Sequence, residues 1–420
     1  MTLETIEGFR LSPQQRRLFS LSGGGSNPAC RVAAAVRLRG QLDAERLRRA
    51  LQRTVERWET LRTVFQALPG MDQPLQEIAA GASFELREID LRPMCPEEVR
   101  MRLEELWRGD EMAPFDLRVG PPLRCTLVGL EDSEWLLQVA LPSVNADLRS
   151  LRLLLCEVGR AYDAAPENEA VQYADVSEWL NDLLDAEGGE EGRAFWRRRL
   201  AGPPATGFPV AKAAGEAFTT RSLSMPGSGE FVDRICFTTG APGSAVLLAA
   251  LGALVWRLGG GSEPALFRVF DGRTVEGLGE ALGLFARCLP LACRIEGDVS
   301  FQRLAAEVAA AEEGSGAWQD LYPGAAAAPG DFQVEVEEWP DEPFADGVEA
   351  RLERLYGCSE PFALKITAVR GSRGLCLDLA YDPARLEEAD VSRIASALAT
   401  LLADAAANPE SRVDDLGILS

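Results

Sequence analysis

Two α/β lobes are the architecture this sequence predicts, on three observations. The chain has 420 residues, beyond the roughly 250–300 residues at which one hydrophobic core stops growing. Apolar residues recur at strand and at helix periods in alternation through both halves. Between the halves, Ala201 to Gly229 is rich in Gly, Pro, Ala, Ser and Thr and has no period. The expected division is therefore a first lobe over residues 1–200, a connection over 201–229 and a second lobe over 230–420.

In the first lobe, Val32 to Leu38 alternates as a strand does. Asp43 to Arg57 follows with Leu47, Ala50, Leu51, Thr54 and Val55 at helical spacing behind Asp43 as N-cap. Leu61 to Phe65 is β-rich and ends at the turn signal Leu68, Pro69, Gly70. Leu123 to Val128 and Trp135 to Leu141 read as two strands around the turn Glu131, Asp132, Ser133, and a helix runs from about Leu148 to Tyr162. The strand-to-helix junction is then Pro142 to Asp147, the kind of place where α/β proteins commonly build sites. In the second lobe we expect helices over 244–258, 301–311 and 391–407, and strands over 265–270, 289–295, 363–370 and 375–381.

With 43 basic and 65 acidic residues the formal charge is −22, which repels phosphate backbones and anionic lipid surfaces, so neither nucleic acid nor a membrane is an expected partner. The run Arg197, Arg198, Arg199 reads as a solvated helix face. Nine cysteines without a CxxC pair read as reduced, mostly buried thiols. The N-terminal segment has no basic-then-apolar signal pattern, and the apolar run Ala245 to Trp256 is too short to span a bilayer, which together point to the cytoplasm.

Zero histidines exclude a Ser-His-Asp triad, a Cys-His dyad and a zinc-protease helix. The glycine strings at 23–25 and 259–261 lack the Lys and Ser or Thr of a P-loop, and Gly277, Gly279 and Gly283 miss dinucleotide spacing. The carboxylate clusters Glu105, Asp110, Glu111 and Glu335, Glu337, Glu338 read as solvated surface, and the cysteines as packing.

In order, several segments resemble the signature blocks of condensation domains of non-ribosomal peptide synthetases. LSPQQRRLF (Leu11 to Phe19) resembles the first block, and RWETLRTVF (Arg57 to Phe65) the "RHExLRTxF" block with Trp58 in place of its histidine. PFDLRVGPPLR (114–124), VQYADVSEWL (171–180) and AFWRRRLAG (194–202) are similar to later blocks of the first lobe. FDGRTVEGLGEALGLFARCLPL (270–291) resembles the stretch carrying "GR" and "GxFVN", and WQD the "HQD" block with Trp318 for its histidine. From Pro361 through DLAYDPARL to LGILS the chain resembles the family's last strands and helix, from which such synthetases normally continue, so a fragment of a larger module is expected.

The resemblance implies two chloramphenicol-acetyltransferase-like lobes in a V-shaped pseudodimer with an inter-lobe tunnel. It implies donor and acceptor carrier proteins as partners, each presenting a substrate on a phosphopantetheine arm, with neighbouring synthetase domains alongside and no bound cofactor or metal. The family's "HHxxxDG" block falls on Pro142, Ser143, Val144, Asn145, Ala146, Asp147 and Leu148. The aspartate survives, and the resemblance pairs it with the arginine of "GR", Arg273 from the second lobe. Ser143 stands where the family has its reactive histidine and cannot accept a proton near neutral pH. Pro142 fixes φ where the first histidine stood, and Leu148 replaces a glycine. Two functions follow from the resemblance. One is amide formation between carrier-tethered partners, with Ser143 or Asn145 hydrogen-bonding a reacting group. The other is a catalytically inactive domain that binds carrier proteins or recruits a tailoring enzyme; a free-standing acyltransferase ranks third.

Overall fold

The computed structural model describes residues 8–22, 27–81, 84–165, 169–186, 188–201, 218–259, 261–324 and 331–419. The glycine string at 23–25, Gly260 and most of the aperiodic stretch, 202–217, lie outside the described residues.

Helix α1 (Pro13–Leu21) starts at a reciprocal cap: Ser12 Oγ accepts from the Gln15 N–H, and Gln15 Oε1 accepts from the Ser12 N–H. Strand β1 (Arg31–Gly40) leads into α2 (Ala44–Arg57), which Asp43 caps and whose apolar stripe Leu47, Ala50, Leu51, Thr54, Val55 is the buried one. A 3₁₀ turn, Glu59–Arg62, replaces the first half of the next expected strand. Then come β2 (Thr63–Gln66), β3 (Leu75–Ile78), β4 (Leu86–Asp90), α3 (Pro96–Met112), β5 (Arg124–Glu131), β6 (Glu134–Pro142), α4 (Leu148–Tyr162) and α5 (Tyr173–Asp185). The chain continues through α6 (Glu190–Leu200), β7 (Arg221–Ser224), α7 (Ser228–Thr239), α8 (Gly243–Arg257), β8 (Leu266–Phe270), β9 (Arg287–Leu291), α9 (Phe301–Ala317) and β10 (Phe332–Glu338). It closes with β11 (Pro343–Ala345), β12 (Val348–Gly357), β13 (Leu364–Gly371), β14 (Gly374–Tyr381) and α10 (Glu388–Ala407).

These elements form two compact units, and neither is one continuous stretch. The first holds residues Met1–Ala186, Arg273–Ala286 and Asp341–Ser359; the second holds Glu187–Gly272, Arg287–Pro340 and Glu360–Ser420. The expected cut at 201–229 therefore misplaces α6, which belongs to the second unit, and two later segments that return to the first. The physical reason for one return is the free edge of β1. Strand β12 pairs antiparallel with β1 from Val32↔Gly357 to Gly40↔Val348, with a bulge between Ala35 and Val36. The sheet order in the first unit is β11-β12-β1-β6-β5-β4, and in the second β7-β14-β13-β10-β8-β9.

The second unit's core is built on α8, where every residue from Ser244 to Val255 is buried; a helix apolar all round belongs inside a protein. No single helix among the described residues is long and apolar enough to cross a membrane. The solvated reading of the 335–338 carboxylates fails at Glu335, which is buried on β10 and ion-paired with the fully buried Lys365 of β13.

Candidate functional site

The site is the turn between β6 and α4 in the first unit. The β1–β6 ladder runs from Arg39↔Glu134 to Arg31↔Pro142, and Ser143 N–H extends it by donating to Cys30 O at 3.0 Å. Pro142 sits buried at the end of the ladder, where its carbonyl accepts from Asn145 N–H at 2.9 Å. From there the chain turns tightly into the helix, and every residue from 141 to 148 is buried.

Asp147 is the N-cap of α4, its Oδ1 accepting from Ser150 N–H at 2.7 Å. Four further bonds converge on the same carboxylate. Arg273 donates from Nη1 to Oδ2 at 3.0 Å and from Nη2 to Oδ1 at 3.1 Å, and the backbone N–H groups of Phe285 and Ala286 reach Oδ2 at 2.9 and 3.0 Å. Burial by itself would push this carboxyl up. The Arg273 charge, its hydrogen bonds and those of Ser150 outweigh it and hold Asp147 below the ordinary carboxylate range. Both members of the ion pair are almost wholly excluded from water. The segment carrying Arg273 belongs to the same unit as Asp147, so the pair ties residues 273–286 to the head of α4 instead of joining two lobes.

Ser143 has no accessible surface, and its hydroxyl has no hydrogen-bond partner. Asn145 serves as a brace. Its amide nitrogen donates to Thr60 O at 2.9 Å and Thr63 O at 3.1 Å, and its carbonyl accepts from Thr60 Oγ1 at 2.7 Å. Its Oδ1 is buried without a partner. Leu148 is the first residue of α4 and has no left-handed backbone, so the family's glycine is not needed for conformation at this position. Its side chain fills the space beside Gly357, where an added Cβ would lie 2.5 Å from Leu148 Cγ.

The two tryptophans stand in different units. Trp58 is buried at the end of α2 and donates from Nε1 to Glu157 Oε2 at 3.3 Å, an oxygen that also pairs with Arg57 at 2.8 Å. Trp318 ends α9, and its carbonyl accepts from Trp196 Nε1 at 2.7 Å. Beside it Arg287 pairs with Asp320 at 2.9 Å and donates to Gln319 O at 3.0 Å. Both tryptophans are packed supports.

Sequence reasoning missed the groups that fix the turn from outside. Gln15 Nε2 donates to Val144 O at 3.0 Å, Ser150 Oγ donates to Gly283 O at 2.6 Å, and Tyr173 Oη donates to Leu284 O at 2.5 Å. Gly283 has φ +158°, and a Cβ there would lie 2.0 Å from Tyr173 Cδ2. The glycine itself was the available signal; its partner ring was not. Along the outer face of α4 a cavity of about 610 Å³ is lined by Arg149, Arg152, Cys156 and Arg160, facing Glu280 and Glu342. Among the described residues no cluster of three or more His, Cys, Asp or Glu side chains is placed to hold a metal ion.

Two mixed α/β units, the first with an aspartate capping the helix that follows β6, define the class of protein. The condensation-domain model matches residues 7–317, and the chain belongs to the condensation-domain family. It is similar to the phosphinothricin tripeptide synthetase PhsC of Streptomyces viridochromogenes, 31% identical over 313 residues, covering 71% of this chain and 28% of that protein. The chain thus spans a small part of the curated relatives it matches. The first condensation domain of the CDA synthetase superposes with TM-score 0.82 at 21% identity, covering 98% of this chain and 99% of the other. The X-domain from teicoplanin biosynthesis superposes with TM-score 0.80 at 24% identity, covering 100% and 99%. At these identities the structural likeness shows the fold.

Proposed function

We propose that this condensation-type domain binds carrier proteins or a tailoring enzyme without forming an amide bond itself. The observation that carries this reading is the state of position 143. Its hydroxyl is sealed from solvent and has no acid–base partner, while the carboxylate four residues on, Asp147, is saturated by five donors and held in its weakly basic form. A general base contributes roughly 10²–10⁴ in rate, and nothing in the turn replaces it. The intact scaffold around the turn supports retention of the fold for binding.

The cavity along α4 supports a binding role. Arg152, on its wall, offers a cation to the phosphate of a phosphopantetheine arm. The domain holds no cofactor of its own in this reading, works in the cytoplasm, and meets its partners as neighbouring domains of a synthetase.

One observation favours amide formation by positioning alone: the Ser143 hydroxyl keeps an unused donor, and alignment of two reactants supplies about 7–11 kcal/mol of a barrier. The test loads donor and acceptor carrier proteins, adds the domain and follows the amide by mass spectrometry for wild type, Ser143→Ala and Asp147→Ala. We expect product at the domain-free level together with measurable carrier binding that Arg152→Glu weakens. Product well above that level, lowered by Ser143→Ala, overturns the binding-only reading.

A further inference from the structure

The first unit's sheet has a second face, covered by α3, and the cover is loose. Helix α3 is the one described α-helix without a single buried residue. Its inward residues Val99, Leu103, Leu106 and Trp107 are only partly buried against Ala35, Leu91, Val128 and Leu136. Between helix and sheet lies a cavity of about 320 Å³. The sequence makes this space at Ala35, a small residue opposite Gln138 on β6 and Arg354 on β12. One methyl group between two long neighbours leaves the middle of the sheet face unfilled.

The chemistry of the walls selects an occupant. Ala35, Val99, Leu103, Trp107 and Leu136 give an apolar body. The arginines at the rim already have carboxylate partners: Arg37 with Glu134 and Glu353, Arg100 with Glu97, and Arg354 with Glu104. No uncompensated charge is offered to a ligand. Trp107 is held in place as a wall by its Nε1 donating to Glu111 at 3.0 Å. The floor carries one specific group. Gln138 is 4% exposed, its amide nitrogen donates to Asp110, and its carbonyl oxygen has no partner among the described residues.

We propose that this cavity binds an uncharged, mostly apolar small molecule with one hydroxyl or N–H donor, the donor bonding to Gln138 and the ring or chain lying between Trp107, Leu103 and Leu136. The site is independent of the turn at 143–147 and stands whether or not amide formation occurs. An apolar pocket with few placed polar groups is the common form of a small-molecule site.

The test titrates the intact chain with 1-naphthol and with 1-methoxynaphthalene, reading Trp fluorescence and calorimetric heat. We expect saturable binding of 1-naphthol and about tenfold weaker binding of the ether, the effect of one neutral hydrogen bond. Val99→Phe, which fills the slot from the helix side, should abolish binding while leaving the melting temperature equal or higher. Should that variant fail to fold, Gln138→Leu is used; it should bring the two probes to equal affinity. No saturable binding by wild type, or binding unchanged in the folded variants, overturns the proposal.

Discussion

Asp147 and Ser143 stand four residues apart in one turn and are equally removed from water, yet the protein treats them in opposite ways. Five donors from three stretches of chain converge on the Asp147 carboxylate. None reaches the Ser143 hydroxyl. Removing a polar group from solvent is costly unless its bonds are replaced, so the first residue is a structural centre and the second an uncompensated remnant. The difference teaches that the turn's architecture does not depend on what stands at 143: the architecture hangs on residue 147 and persists around a neutral, unbonded hydroxyl.

The largest expected effect is at the pair itself. Asp147→Ala removes the countercharge of the buried Arg273 guanidinium and should cost about 3–5 kcal/mol, as broken buried ion pairs do, measured by urea unfolding. Asp147→Leu combined with Arg273→Met should recover a substantial part of that loss. Acid sharpens the same contrast. Because the folded carboxyl lies below its ordinary value, its contribution is fully present above the unfolded pKa, near 3.9. That contribution is lost as pH falls through the lower folded value. The stability gap between wild type and Asp147→Asn should therefore narrow below about pH 4; a gap constant across that window would show that the charge contributes nothing.

Gly283→Ala probes the far side of the knot. Its Cβ would meet the Tyr173 ring, and overpacking of this kind costs about 1–3 kcal/mol, read in the same unfolding curves. The smallest effect should be at Ser143. Ser143→Ala deletes an unsatisfied buried hydroxyl and should be neutral or stabilising by about 1–3 kcal/mol. A clear loss of stability there would break the comparison, since it would mean that the hydroxyl is bonded in solution.

What the sequence disclosed follows the same division. Helices and strands with a clean period, such as α2 with its Asp43 cap and β13–β14 around their turn, were legible because one face of each is apolar. Asp147 and Arg273 were found through motif resemblance, which carried the pair but assigned Arg273 to the wrong body. Glu335 was misread as surface because a charge buried by pairing with Lys365 looks, in sequence, like any exposed glutamate. Strand β12 escaped because VEARLERLYG has charges on a strand whose pairing supplies the burial. The bracing role of Asn145 was invisible because its partners are backbone carbonyls, which no side-chain pattern reports.

The return of residues 341–359 to the first unit sets an order on synthesis. A growing chain cut off after Ala186 has β1 with a bare edge and Asp147 without Arg273 or the amides of Phe285 and Ala286. About a hundred residues must emerge before the carboxylate is satisfied, and some seventy more before β12 seals the sheet, against a synthesis rate of roughly 5–20 residues per second. The amino-terminal half therefore spends seconds as an incomplete body on the ribosome. Any attempt to transplant this half alone into another protein has to bring both later segments with it.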